Sequence, residues 1–567
     1  MLSRSLYQCL ISCDTARLDA IAIQWGVEQL PARRRDIAVV LAEEMLAPRR
    51  LRAVWAALTE DEKAAVAAIQ AREEAMPWPT FTRQWGTVRP MGPGRIARER
   101  PWESPISPAE GLWYWGIVHR VPFDGPTGLY ETAFIPDELQ ALLPAPPKPG
   151  VPQATPMAKS PPIIHLATDC LLDDLCSLLA YIQNQHVRPN EEGEWSLLHE
   201  TGLARRLRDP DPARLIFLRH LAGRLSWLRS DDAKRLRLDP DQTVRWLQAS
   251  AAEQRSALIT AWREDVSWNE LWQVPTLQPD DTGSWHNNPT LARETVLQAL
   301  AACEIGEWYA IDVLIAAIKT SDPDFQRPDG DYESWYIRDA ATGEHLSGFA
   351  SWDAVEGTLI RYLITHPLAW LGMVDLGTGY EGGPATAVRL SLGAAALLRP
   401  AEAAEELDQT PPPARLTDLV VEIAATQRYD RFQLSRIADW VRSGERYTYR
   451  LSAGSLGRAK EQGIAVQRAT DYLEETTGQP LSPKLRSALG RWARAGTEVK
   501  LTHAAILRTK DPATLQRLTA SPTTRPFISE VLGPTAALIT TENWSRLMKA
   551  LLNEGLLPEI ELRQQEG

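Results

Sequence analysis

Five cysteines in 567 residues are too few for a disulfide-stapled extracellular scaffold. Cys9 and Cys13 stand i,i+4 on an expected helix, Cys170 and Cys176 make no CxxC, and Cys303 is alone, so buried thiols are expected. The nine histidines show no metal-ligand spacing. No apolar run reaches the length of a membrane span, and the opening MLSRSLYQCLIS has neither a long apolar region nor a small-residue cleavage site. A cytoplasmic chain with no membrane partner is the expectation. The phosphate loop GxxxxGK[ST] is absent, since the sequence contains no Gly-Lys dipeptide, and without that loop the usual nucleoside-triphosphate cradle cannot be assembled. HExxH and GxSxG are absent as well. A protein that is not an enzyme, with no catalytic residues, cofactor or metal, is therefore expected.

Tryptophan, by contrast, is plentiful: 21 against 8 phenylalanines. Trp55, Trp113, Trp227, Trp246, Trp262, Trp352 and Trp492 fall in helix-like contexts and read as core anchors, a minority being suited to base stacking. With 44% hydrophobic and 24% charged residues the chain has enough apolar surface for several cores, and its length fits three to five domains. The net charge of −12 disfavours nonspecific DNA binding by the whole, but it is unevenly spread. Between Arg415 and Glu530 there are 19 Lys and Arg against 12 Asp and Glu, an excess of seven positive charges, which leaves −19 for the remainder. A basic module on an acidic body is the picture this implies.

The Pro-rich stretch 144–162, PAPPKPGVPQATPMAKSPP, cannot form helix or central strand and reads as a linker. A second breaker is 408–413, DQTPPP, and periodicity also stops between Pro275 and Pro289. The expected domains are 1–143, 163–275, 285–400 with an acidic insertion at 322–348, and 414–562. One pattern recurs: an amphipathic helix, a short apolar strand, a polar loop, a second strand. Ser107-Pro108-Ala109-Glu110 reads as a capping box ahead of strands Ile117–Val121 and Tyr130–Ile135. Leu225–Leu228 and Arg235–Leu238 flank a polar loop, and Leu371–Leu376 and Thr386–Leu392 follow a helix Trp352–Ile364 capped by Ser351. A helix followed by a β-hairpin is the second half of a winged helix, with further helices upstream, one of them opened by the Thr59–Glu62 capping box. The expected fold class is mainly α with small β-hairpins, an α+β chain of tandem winged-helix-like modules.

Two motifs point elsewhere and fail on their context. Gly377-Thr378-Gly379-Tyr380-Glu381-Gly382 matches GxGxxG after an apolar strand, but a dinucleotide site needs a helix to start there, and Pro384 with an alternating segment follows instead. The acidic run from Asp322 to Glu333 suggests a calcium loop, yet counting from Asp329 the sixth and twelfth positions hold Ser334 and Ala340 where Gly and Glu are required. A polar insertion closed by a small hairpin, Trp335–Arg338 with Leu346–Phe349, is the better reading.

The most informative segment is Tyr447–Trp492: a strand, a helix capped by Ser452, a turn at Gly463, a second helix, and a third from Pro483 to Ala495. At 100° per residue, Leu485, Leu489 and Trp492 of the third helix share one stripe, with Lys484, Ser487, Arg491 and Arg494 nearly opposite. A rigid helix with cations on one side suits phosphate contact, although a solvated face is the ordinary use of such a stripe. The second helix carries Gln467, Arg468 and Thr470 but also Asp471, Glu474 and Glu475, whose repulsion of phosphates argues against deep insertion into a major groove.

On Tyr449-Arg450-Leu451-Ser452, Ser455-Leu456, the Ala459-x-x-x-Gly463 turn and the Leu481–Trp492 helix, the last quarter of the chain resembles the helicase-associated domain that precedes the motor in XPB-family DNA helicases. The resemblance implies work on nucleic acid; no motor accompanies it here, and the residues that carry it look structural. The function expected is non-catalytic DNA binding, to duplex DNA, or an accessory role beside a helicase or nuclease partner. The candidate contacts are Arg446, Arg450, Arg458, Lys460, Lys484, Arg491 and Arg494. The alternative is a protein–protein interaction scaffold or regulatory subunit of a DNA-processing complex.

Overall fold

The computed structural model describes residues 3–72, 75–125, 128–145, 154–283, 285–398, 411–496, 505–539 and 544–559. It is an α+β protein of short helices and small antiparallel sheets. Two compact units are present: residues 1–462 with 475–478, and residues 463–474 with 479–567. No helix among the described residues is long and apolar enough to cross a membrane.

One topology repeats along the first unit. A short strand leads into helix, a hairpin follows, and the leading strand pairs with the second strand of the hairpin, which becomes the middle of the sheet. In the N-terminal lobe the order is Met76–Pro77, Gly128–Phe134, His119–Gly125. Further on, Tyr309–Ala310 pairs with Ala385–Leu390, itself paired with Val374–Thr378; Ile163–His165 adds to the other side of Val374–Thr378. Then Val420–Ala424 pairs with Arg446–Arg450, which pairs with Asp439–Arg442, and Arg415–Thr417 lies outside Val420–Ala424. The middle strand is the one buried by the helices; in Arg446–Arg450 it buries Tyr447, Thr448 and Tyr449. A reduced version surrounds the hairpin Leu228–Ser230 with Leu236–Leu238, where the Leu236 N–H donates to the Val187 carbonyl at 2.9 Å in place of a leading strand.

Several local expectations are met and several corrected. Thr59 and Glu62 form the reciprocal capping box, as do Ser452 and Ser455. Ser107 caps its helix, but Glu110 does not return the bond to it; buried, the carboxylate accepts instead from the Ile106 N–H and the Arg89 N–H and guanidinium, 2.7–3.0 Å. Burial alone would raise its pKa; Arg89 and those N–H groups bring it below the ordinary value. Ser351 caps nothing: its hydroxyl donates to the Ser347 carbonyl, and residues 353–368 form one helical stretch widened at both ends, with Pro367 inside. The GxGxxG segment is the turn between the antiparallel strands Val374–Thr378 and Ala385–Leu390. Of the expected linker 144–162, residues 146–153 lie outside the described residues; beyond them the Met157 N–H donates to the Trp308 carbonyl at 2.6 Å and Pro161 is buried.

Two large apolar cores lie in the first unit, with smaller clusters around Trp102 and Val121 in the N-terminal lobe. One joins Leu6 to Leu143 in the N-terminal lobe. The other runs from Leu171 to Phe432, across both Pro275–Pro289 and the 408–413 breaker. At its centre is the helix Cys170–Asn184, in which every residue from Leu171 to Ile182 is buried. A helix buried all round has no polar face, yet this one carries Asp173 and Asp174. Each is met by arginine: Asp173 by Arg208 at 2.6 Å and Arg428 at 2.9 Å, Asp174 by Arg214 at 2.5 Å. Arg431 donates to the Asp173 carbonyl at 3.1 Å and lies 3.4 Å from the Tyr447 ring centroid. Burial pushes the Asp174 carboxyl up, against the pull of Arg214 and the Arg208 and Asp209 N–H groups.

The acidic insertion is a clamp. Buried Asp324 accepts from Thr80 and Arg83 of the N-terminal lobe, each at 2.6 Å, and from Tyr332 at 2.9 Å, while Arg327 and Glu356 pair at 2.8 Å. Gly330, at φ +72°, lies so close that a Cβ there would stand 2.5 Å from the Thr80 hydroxyl. The expected hairpin within the insertion is only part of a larger arrangement: Ile337–Asp339 pairs with Leu277–Pro279, and its return segment contributes the bridge Arg338–His345. No cluster of metal-ligating side chains occurs among the described residues.

The second unit repeats the topology once more: Ala505–Arg508, helix Pro512–Ala520, then Ile528–Gly533 and Ala536–Ile539, with Ala536–Ile539 in the middle. Leu515, Leu518, Ile528, Ala537, Ile539, Leu547 and Leu551 form its core.

Candidate nucleic-acid interface

The seven candidate cations fall in two groups, one in each unit. In the second unit, the helix Pro483–Ala495 starts where Ser482 accepts from the Leu485 N–H at 3.3 Å and Pro483 takes the first turn; it stops at Gly496, φ +74°. Leu489 is buried, and Leu485 and Trp492 are half-buried beside it. Lys484, Arg491 and Arg494 are exposed and have no ion-pair partner among the described residues. Arg486, between them in sequence, is bound to Glu474 of the preceding helix Val466–Thr477. Glu474 also accepts from the Leu481 N–H at 2.8 Å, and that bond, then Arg486, holds its carboxyl below the usual range. The helix thus keeps one arginine for internal structure and turns three cations to solvent.

In the first unit, the strand Arg446–Arg450 and the helix Ala453–Glu461 hold the other four. Arg446 is half-buried and donates to the Glu422 carbonyl at 3.2 Å. Arg458 pairs with Asp439 at 2.6 Å, and the same carboxylate accepts from the Ser452 cap at 2.5 Å. These two are committed to the fold. Arg450 and Lys460 are exposed, with no ion-pair partner among the described residues. Arg442, on the strand Asp439–Arg442, is exposed in the same way and was not singled out from the sequence; three residues from Asp439, its only signal was a place on a strand too short to show alternation.

The helix Val466–Thr477 exposes Arg468 and Gln467, but the Gln467 amide donates to exposed Asp471 at 2.7 Å. A cleft of about 680 Å³ in the first unit, lined by Asp169, Asp173 and Asp375, contains three arginines, but each is matched: Arg208 by Asp173, Arg255 by Asp169 at 2.7 Å, Arg389 by Asp375 at 2.6 Å. It offers no unbalanced charge to a phosphate. Among the tryptophans picked out from sequence, Trp227, Trp246, Trp262 and Trp352 are buried and Trp55, Trp113 and Trp492 half-buried.

Residues 416–532 match the helicase conserved C-terminal domain. The match takes in 117 of the 567 residues, about a fifth of the chain, and covers all seven candidate cations. It supports a helicase-associated domain in this region and a helicase-related role associated with nucleic acid. No curated protein matches the chain.

Proposed function

We propose that the chain is a non-catalytic DNA-binding accessory to a helicase or nuclease, holding duplex DNA by its phosphates. The observation that carries this reading is the allocation of charge on Pro483–Ala495. Arg486 is bound to Glu474, while Lys484, Arg491 and Arg494 are exposed, without carboxylate partners among the described residues, on a helix capped at both ends. Arg450 and Lys460 are the corresponding open cations of the first unit. The strand–helix–hairpin topology, with the leading strand against the second hairpin strand, supports winged-helix modules; the likeness to XPB-family sequences supports the DNA assignment. The missing phosphate loop is the reason to place any ATPase on a partner.

The test is duplex DNA binding as a function of salt. Changing Lys484, Arg491 and Arg494 together to Gln is expected to weaken all duplex sequences about equally and to lower the slope of log affinity against log salt by roughly two to three. Unchanged affinity and slope in a folded triple variant would refute the assignment of this face. Magnesium-dependent ATP turnover that survives purification would refute the non-catalytic part.

A further inference from the structure

Beside the helix Pro212–Arg224 lies a groove of about 1160 Å³, in the first unit and remote in sequence from every candidate cation. Its walls combine two features that internal packing leaves unexplained. Leu197 is 78% exposed and Ile216 is 52% exposed, so large apolar side chains face the opening. Gly223 lies on the same helix two turns beyond Ile216, and a Cβ there would meet nothing within 4 Å. A helical glycine costs about 0.5–1 kcal/mol relative to alanine, and no close neighbour among the described residues requires this one. It leaves the helix backbone open to close approach from outside.

The rim is acidic. Glu191, Glu192 and Glu194 are exposed on the loop that buried Trp195 anchors. The nearby cations are already engaged: Lys234 with Glu191 at 3.5 Å, Arg219 with Glu200 at 3.2 Å and with the Gly193 carbonyl at 2.9 Å, and His220 with Asp265. Among the described residues Glu192 and Glu194 accept hydrogen bonds from the Asn190 amide, and Arg219 lies close enough to Glu194 to feel its charge. An apolar floor rimmed by more carboxylates than cations repels phosphate and favours a partner surface that carries Lys or Arg.

We propose that this groove docks a basic amphipathic helix of a partner protein. Apolar side chains at i, i+3 or i+4, and i+7 settle on Leu197 and Ile216, the helix crosses over Gly223, and Lys or Arg on its flanks meet Glu192 and Glu194. The site stands apart from the DNA-binding reading and survives its failure.

A fluorescent 18-residue peptide of Leu and Lys, with Leu at helical spacing, is titrated against the full chain by anisotropy; a Leu and Glu counterpart is the control. The Leu/Lys peptide is expected to bind and its counterpart not. Ile216→Asp and Gly223→Leu each weaken binding at least about tenfold, as truncation or filling of a central contact does, and Glu192→Gln with Glu194→Gln weakens it less and flattens its salt dependence. Ile216 and Gly223 are both solvent-facing, and circular dichroism confirms that the variants fold. Absence of binding, or equal binding by Ile216→Asp, overturns the proposal. Concentration-dependent self-association in sedimentation that Ile216→Asp abolishes would assign the groove to a second copy and overturn it too.

Discussion

Two helices within the helicase-domain match use the same residue type in opposite ways. Arg428–Ile437 turns Arg428 and Arg431 inward, onto Asp173 and beneath Tyr447. Pro483–Ala495 turns Arg491 and Arg494 outward. Each of these four arginines adds the same single charge to the excess of seven counted between Arg415 and Glu530. A charge count therefore overstates what a surface presents: Arg428 and Arg431 are buried, and Arg458 and Arg486 are neutralised by Asp439 and Glu474. What remains exposed is a smaller set: Lys484, Arg491 and Arg494 on one helix, Arg442, Arg450 and Lys460 around the strand Arg446–Arg450, and Arg415, Arg468, Arg508, Lys510, Arg517 and Arg525 at scattered positions.

If that contrast is sound, its two sides respond to mutation in different assays. Asp173→Ala leaves buried arginines without their carboxylate and is expected to cost about 3–5 kcal/mol, read as an earlier urea midpoint by tryptophan fluorescence. A loss under 1 kcal/mol would mean that the inward arginines find water or other partners. Asp324→Ala, which removes the acceptor shared by Thr80, Arg83 and Tyr332, is expected to cost less, about 1–3 kcal/mol, and to expose the 322–348 insertion to protease. A third test takes a buried group that stays neutral. His119 is held well below its ordinary pKa by burial, then by Arg17, and its Nε2 donates to the Gly116 carbonyl at 2.9 Å. The unfolded chain takes up a proton near pH 6.5 that the folded chain refuses, so this contribution is complete above that pH and is lost below it. Between pH 6.5 and 5.5 the wild type should lose about 1 kcal/mol more than His119→Gln; parallel pH curves would show that the imidazole protonates in place. Smallest of all, Arg491→Lys should leave the unfolding midpoint within about 0.5 kcal/mol of wild type and the DNA salt slope unaltered, since a phosphate contact needs only the charge. A change of preferred DNA sequence in that variant would instead imply base reading.

The local grammar of the chain was legible. Ser452, Gly463, Ser482 and Pro483 mark ends of the elements they were expected to mark, and the alternation in Thr386–Leu392 correctly displaced the GxGxxG motif. Two of the leading strands were not legible, because Met76–Pro77 and Tyr309–Ala310 are two residues long and two residues have no period. The inward arginines were missed for a different reason. Arg428 and Arg431 look like any exposed pair until LLDDLCSLLAYI is recognised as a helix with no solvent side, whose two aspartates require buried cations. Of the seven candidate contacts, Arg446 and Arg458 had ordinary surface spacing, and only the strand register that brings Asp439 opposite Arg450, next to the Ser452 cap, discloses that Arg458 is engaged.

The repeated strand order has a consequence for how the protein stays in solution. Placing the second hairpin strand in the middle leaves the first hairpin strand with unused backbone donors and acceptors along one side, a template for another chain to extend. Each sheet blunts it differently. His119–Gly125 carries Pro122, which has no N–H to offer. Asp439–Arg442 is interrupted by a bulge and ends in an exposed arginine; Ile528–Gly533 has two bulges around Glu530 and Val531. Val374–Thr378, which has neither a proline nor a charge beyond the paired Asp375, is covered by Ile163–His165. The few residues that follow the proline-rich stretch thus act as a stopper against amyloid-like strand addition, and a truncation that removed them would be read first as precipitation.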